Sequence, residues 1–310
     1  MHAVKVWRAV SDVCFGPGTS RRLVITHAGL ALVIGLRIAL GPYRRLAGQP
    51  EALFRPLSFV TLLDRMPSLG VVIAVQVVGT LAAMLAVIGW RRRATFAVAW
   101  MSLLLLTGLR TSLGKILHND ALLLLAAVPF LLAPEVRGTG DDEPSRRYGW
   151  PVNVALVIVA GAYFFAGRAK WTGSGIDWVT GDNMRYLMYD AARTTRMMFP
   201  EIPRYIADHA WLATLSAAGI LTLELTFPIV LIVSRLRPLY AVWATALHVG
   251  TWFALGIDYW AWVAVLLLVV VNPVYAMCST NRSSWRRLRH SKTPSQWMPY
   301  SETIESPVSQ

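Results

Sequence analysis

The sequence predicts an all-α integral membrane protein, a bundle of about eight transmembrane helices with one amphipathic helix on the outer interface. Three observations lead there. Of the 310 residues, 55% are hydrophobic and only 15% charged, and the mean hydropathy of +0.48 is far too apolar for a soluble chain of this length. The apolar residues gather in windows of about 16 to 24, the length that crosses about 30 Å of hydrocarbon as a helix. The basic residues, which give a net charge of +13, sit at the ends of those windows. That is the distribution of topology-setting charge and not of a nucleic-acid-binding face.

The first window, 22–41, follows a segment with Lys5, Arg8, Asp12, Gly16 and Pro17, which lacks the apolar core of a signal peptide, so the first span acts as its own insertion signal. Windows 69–90 and 94–109 flank Arg91, Arg92 and Arg93. Window 117–133 opens on His118, Asn119 and Asp120, and window 152–169 ends on Lys170. Windows 211–234 and 238–257 flank Arg235 and Arg237, and 259–274 is the last. An even number of crossings brings Arg21 and Arg22, the Arg91 cluster, Arg235 and Arg237, and the run from Arg282 to Lys292 to one side. Both termini are then cytoplasmic and the chain is multi-pass in an inner (plasma) membrane, with the lipid bilayer as its first partner. Trp171, Trp178, Trp211 and Trp260 fall at the outer boundary and Trp90 and Trp150 at the inner one, as aromatic belts do.

This divides the chain into a cytoplasmic N-terminal segment, 1–21, a transmembrane domain, 22–278, and a basic, disordered cytoplasmic tail, 279–310. Cys14 and Cys278 fall on the reducing side and offer neither a disulfide nor metal-ligand spacing, so no metal is expected. The longest outward connection runs from Lys170 to Ala210. Gly173, Gly175 and Gly181 allow tight turns there, Asp182 suits an N-cap, and Met184, Leu187, Met188, Ala191 and Ala192 recur at helical spacing. An amphipathic helix folded over an outward-facing cavity is the expectation.

Ionisable groups inside a bilayer cost on the order of 3 kcal/mol or more each, so their positions point to a buried site. Arg37 lies in the first window, Gln76 in the second and Arg110 and Lys115 after the third; Glu224 is in the sixth and His248 in the seventh. At about 1.5 Å per residue, Arg37, Gln76, His118 and Lys170 lie in the outer half and Glu224 and His248 near the middle. They suit one cavity, with Arg37, Gln76, Arg110, Asp120 and Glu224 as its polar support. The carboxylates invite two pairings, Arg37 or Arg110 with Asp120 and His248 with Glu224. The chemistry open to such a set is proton abstraction. Burial disfavours an ammonium, and a neutral amine is a competent general base, which makes Lys170 the candidate base and His118 and His248 its helpers. No nucleophile elbow, zinc-protease, phosphate-loop or dinucleotide motif occurs in the sequence.

At these residues the chain resembles the membrane module of vitamin K-dependent γ-glutamyl carboxylase, the horizontally transferred transmembrane domain. AGRAKW around Lys170, followed by IDWVTGDNMRYL, is similar to that family's AG-x-x-K-L, DWVEG and short aromatic helix. LSAAGILTLELTFPIV, the LH at 247–248 and the LHND at 117–120 resemble further segments of the module, and the resemblance covers roughly residues 20 to 278. It implies that Lys170 deprotonates reduced vitamin K or another membrane quinol, with His118 and His248 supporting it. Trp171 and Trp178 are then candidate quinone contacts, and oxygenation of the quinol drives carboxylation of a glutamate side chain.

The full carboxylase carries a large lumenal domain after this module, and here a short basic tail stands in its place. Carboxylation therefore calls for a soluble substrate-binding partner. The single-module length is similar to sporulation-delaying protein B-like members, which implies a second class of function, a non-catalytic accessory protein that binds or matures a secreted peptide. A proton-coupled transporter using Glu224 and His248 is a third, although no inverted repeat stands out.

Overall fold

The structure, a computed structural model, describes residues 11, 13–114, 118–136, 143–194 and 199–271. Lys115, most of the N-terminal segment, part of the polar loop after residue 136, Cys278 and the basic tail 279–310 lie outside the described residues. Every apolar window contains a helix, and the only β pairing among the described residues is an isolated bridge between Gly18 and Ser145.

Helix α1, Ser20–Leu40, begins at Thr19, whose hydroxyl accepts a hydrogen bond from the Arg22 amide at 3.2 Å. Helix α2, Leu69–Ile88, ends at Gly89, whose φ of +87° and backbone bonds back to the last turn make a left-handed cap. Helix α3 is Arg92–Thr111, α4 is Ala121–Leu131 and α5 is Arg146–Ser174. Then come short α6, Asp177–Thr180; α7, Asn183–Thr194; α8, Glu201–Asp208; α9, Ala210–Thr226; and a single turn, α10, Ile229–Ile232. Helix α11, Arg237–Leu255, stops at Gly256, again with positive φ, and α12, Trp260–Val265, runs into a π-helical turn at Leu266–Val271.

Among the described residues four helices, α1, α2, α3 and α5, are long and apolar enough to cross a membrane, or five if α8 and α9 are one span bent by 101° at His209. The window at 117–133 holds a helix of only 11 residues, shorter than its apolar run. His118, Asn119 and Asp120 turn outside that helix to make tertiary contacts, and Pro129 removes a backbone donor near its end.

Helices α1, α2 and α3 pack together around Leu30, Ile34, Phe96 and Leu103, while α5 lies against α4 and α9. Along α2, Val71, Val77, Val78, Leu81, Met84 and Ile88 remain exposed, an apolar face suited to lipid. Helix α7 forms over the expected segment and buries Met184, Met188 and Ala191, packing on α9 and α11. It is tied to α8 by Arg185, whose guanidinium donates to the Ala207 carbonyl and to Asp182, and by Tyr189, which donates to Asp208.

Candidate functional site

Between α5, α7, α9 and α11 lies a cavity of about 630 Å³, within the size range of small-molecule sites. Lys170 reaches it from α5, Glu224 from α9, His248 from α11 and His118 from the turn before α4. Trp178 also lines it, whereas Trp171 lies outside the lining and is half exposed. The rest of the wall is mostly apolar, including Met184, Leu187 and Met188 of α7, Ile206 of α8 and Leu255 of α11. The three residues expected to act on a proton therefore face one apolar chamber, under α7 and α8.

Lys170 Nζ lies 2.8 Å from both carboxylate oxygens of Glu224. The pair is sheltered, with the side chains 24% and 9% exposed, so water does little to screen it. The Trp178 ring adds a cation–π contact, its centroid 5.5 Å from Nζ. The pairing exists because α5 and α9 approach closely at Gly167. A side-chain carbon built there would sit 2.8 Å from Glu224 Cβ and 3.0 Å from the Leu225 amide nitrogen. The glycine of the AGRAKW segment thus lets the lysine one turn later reach the carboxylate.

The expected pairing of Glu224 with His248 is corrected by these contacts. His248 Nε2 instead meets the Tyr163 hydroxyl at 2.6 Å, and Glu224 takes the cation that Gly167 brings within reach. A buried carboxylate gains more from an ammonium than from a neutral ring, and a neutral imidazole is satisfied by a hydroxyl. Tyr163 is itself fixed by parallel stacking on Phe227, centroids 4.2 Å apart.

A second histidine–tyrosine pair completes the wall, in which Tyr259 OH bonds His118 Nε2. Trp262 stands between the two pairs, with its centroid 5.2 Å from His248 and 6.4 Å from His118, and its indole N–H donates to the His118 carbonyl.

The remaining expected site residues stand apart from the cavity wall. Arg37 Nε lies 2.5 Å from Asp120 and its Nη1 2.8 Å from Asp258, and Asn119 donates to the Asp258 carbonyl. Of the two cations weighed for Asp120, Arg37 is the partner. This cluster, buried at Arg37 and Asp120, clamps the turn before α4 to the turn before α12, and so seats His118 against Tyr259. Gln76 donates to the carbonyls of Ile38 and Gly41 and ties α2 to the end of α1. Arg110 lies in the last turn of α3, half-buried.

Tyr163, Gly167, Tyr259 and Trp262 escaped the sequence reading. Tyr163 and Gly167 stand seven and three residues before Lys170, on one helix face with it, which was a usable signal. Tyr259 and Trp262 carried none beyond being aromatic. No group of three or more metal-ligating side chains occurs among the described residues. Compared with protein-family models, with curated proteins and with solved structures, the chain has no match.

Proposed function

We propose that this protein is a membrane enzyme that takes a lipid-soluble quinol into the Lys170 cavity and removes a hydroxyl proton from it. Lys170 serves as the base. His118 and His248, each held by a tyrosine, flank the reacting oxygens. One observation carries the reading: Lys170, His118 and His248 come from three separate parts of the chain and meet in a mostly apolar chamber. Such a wall suits a ring with an apolar tail, and its few polar groups suit the ring oxygens. Two nitrogens beside it, His248 Nδ1 and Trp178 Nε1, are buried without a hydrogen-bond partner, so a polar ligand has groups to satisfy.

When bound, the quinol supplies the hydroxyl protons and the electrons of the redox step. The protein's residues orient it, exclude water and hold the proton. In the orientation set by the basic clusters, the cavity opens outward, α7 and α8 lie along the outer interface, and both termini face the cytoplasm. The resemblance to the carboxylase module extends the reading to carboxylation of a secreted peptide or of a peptide brought by a soluble partner.

The test is dioxygen uptake by the purified protein in lipid nanodiscs supplied with menadiol. Positioned general bases contribute about 10²- to 10⁴-fold, so Lys170→Ala should lower the protein-dependent rate at least about 100-fold. Lys170→Arg should do nearly the same, because arginine does not give up its proton. A Lys170→Ala rate equal to that of the wild type removes the proposal.

A further inference from the structure

An ammonium has no lone pair, and Lys170 is held as one half of an ion pair with both oxygens of Glu224. Nζ lies within hydrogen-bonding distance of both carboxylate oxygens, and as an ammonium it cannot accept a proton from anything in the cavity until it has released one. The only oxygen acceptors in hydrogen-bonding contact with Nζ among the described residues are those of Glu224, at 2.8 Å. We infer that Glu224 is the terminal proton acceptor of this site and Lys170 the relay that feeds it, an assignment that rests on the proposed proton abstraction.

One Lys170 N–H bond breaks and its proton forms an O–H bond on Glu224. The ligand's O–H bond breaks and its proton forms a new N–H bond on Lys170. Lysine ends as it began, the carboxylate ends as a carboxylic acid, and the ligand oxygen keeps the electron pair. No oxidant takes part. The surroundings favour this direction, because the carboxylate sits among apolar groups where a neutral acid costs less than an ion. The other titratable groups on the cavity wall are His118, His248, Tyr163 and Tyr259. They are engaged in two pairs of their own and leave Glu224 to Lys170.

This assignment separates sharply from one in which lysine alone is the base. Removing a carboxylate from a buried ammonium disfavours the charged form. Glu224→Gln should then free the amine and preserve or raise activity if lysine acts alone. If Glu224 is the acceptor, Glu224→Gln should lower menadiol-dependent turnover about 100-fold or more, as loss of a proton acceptor does.

The closing experiment does not depend on that variant folding. Wild-type protein in nanodiscs is titrated with 4-nitro-1-naphthol, whose anion is coloured, and infrared difference spectra are recorded with and without ¹³C-labelled glutamate. The expected result is naphtholate formation together with a new carboxylic-acid carbonyl band that shifts with the label. Naphtholate without such a band overturns the role of Glu224 and leaves Lys170 as base. No naphtholate in the wild type, or as much in Lys170→Ala, overturns the proposed function and this inference with it.

Discussion

At Gly167 a methyl group would lie 2.8 Å from Glu224 Cβ, against a helix backbone that has nowhere to give, so Gly167→Ala must push α5 away from α9. Overpacking of this kind costs about 1–3 kcal/mol, and here it also parts Lys170 from Glu224. Thermal unfolding in detergent should show the loss, and an unchanged midpoint would mean that the helices are not so close. Arg37 offers a graded comparison. Asp120 is buried at 2% side-chain exposure and Asp258 is 48% exposed, so their bonds to Arg37 differ in worth. Asp120→Asn should cost about 3 kcal/mol or more and Asp258→Asn clearly less, and equal losses would contradict the burial argument.

Among the elements, α7 and α8 roof the cavity, packed through Met184, Met188 and Ala207 and tied to each other by a few polar contacts. Arg185→Ala removes both the bond to Ala207 and the pair with Asp182, so amide exchange in α7 should quicken while α5 and α9 keep their protection. An unchanged exchange pattern would assign the roof's rigidity to Met184 and Met188 instead. The helical period of α7 was legible in the sequence because its buried residues repeat along one face, whereas the end of α5 was not, since the apolar run stops at Lys170 but the helix continues to Ser174 and is capped at Gly175. What the sequence hid were contacts between elements. Glu224 and His248 lie on helices close in the sequence, which favoured pairing them, yet their partners are set by a missing Cβ at Gly167 and by Tyr163. Neither distance has a sequence period. The shortness of α4 was equally hidden, since polar residues before an apolar run read as a helix start until Arg37 and Tyr259 draw them away.

For the whole molecule, the four basic clusters and the apolar windows make an orientation that labelling can test. Cysteines at Arg92 and Arg237 should resist an impermeant thiol reagent in intact cells, and one at Ser174 should react. Reaction of Arg92→Cys from outside would reverse the orientation and the side on which the cavity opens. The Arg37 clamp has a consequence in time as well as in space. Its two carboxylates lie 83 and 221 residues further along the chain. A nascent chain inserting from its N-terminus carries a buried cation whose second partner is made only shortly before the last described helix. Until then His118 lacks Tyr259, while Lys170 and Glu224 have already been synthesised. Assembly intermediates halted before residue 256 should therefore carry the proton-handling pair without a seated His118, and stay vulnerable to membrane proteases at the turn before α4 until Asp258 arrives.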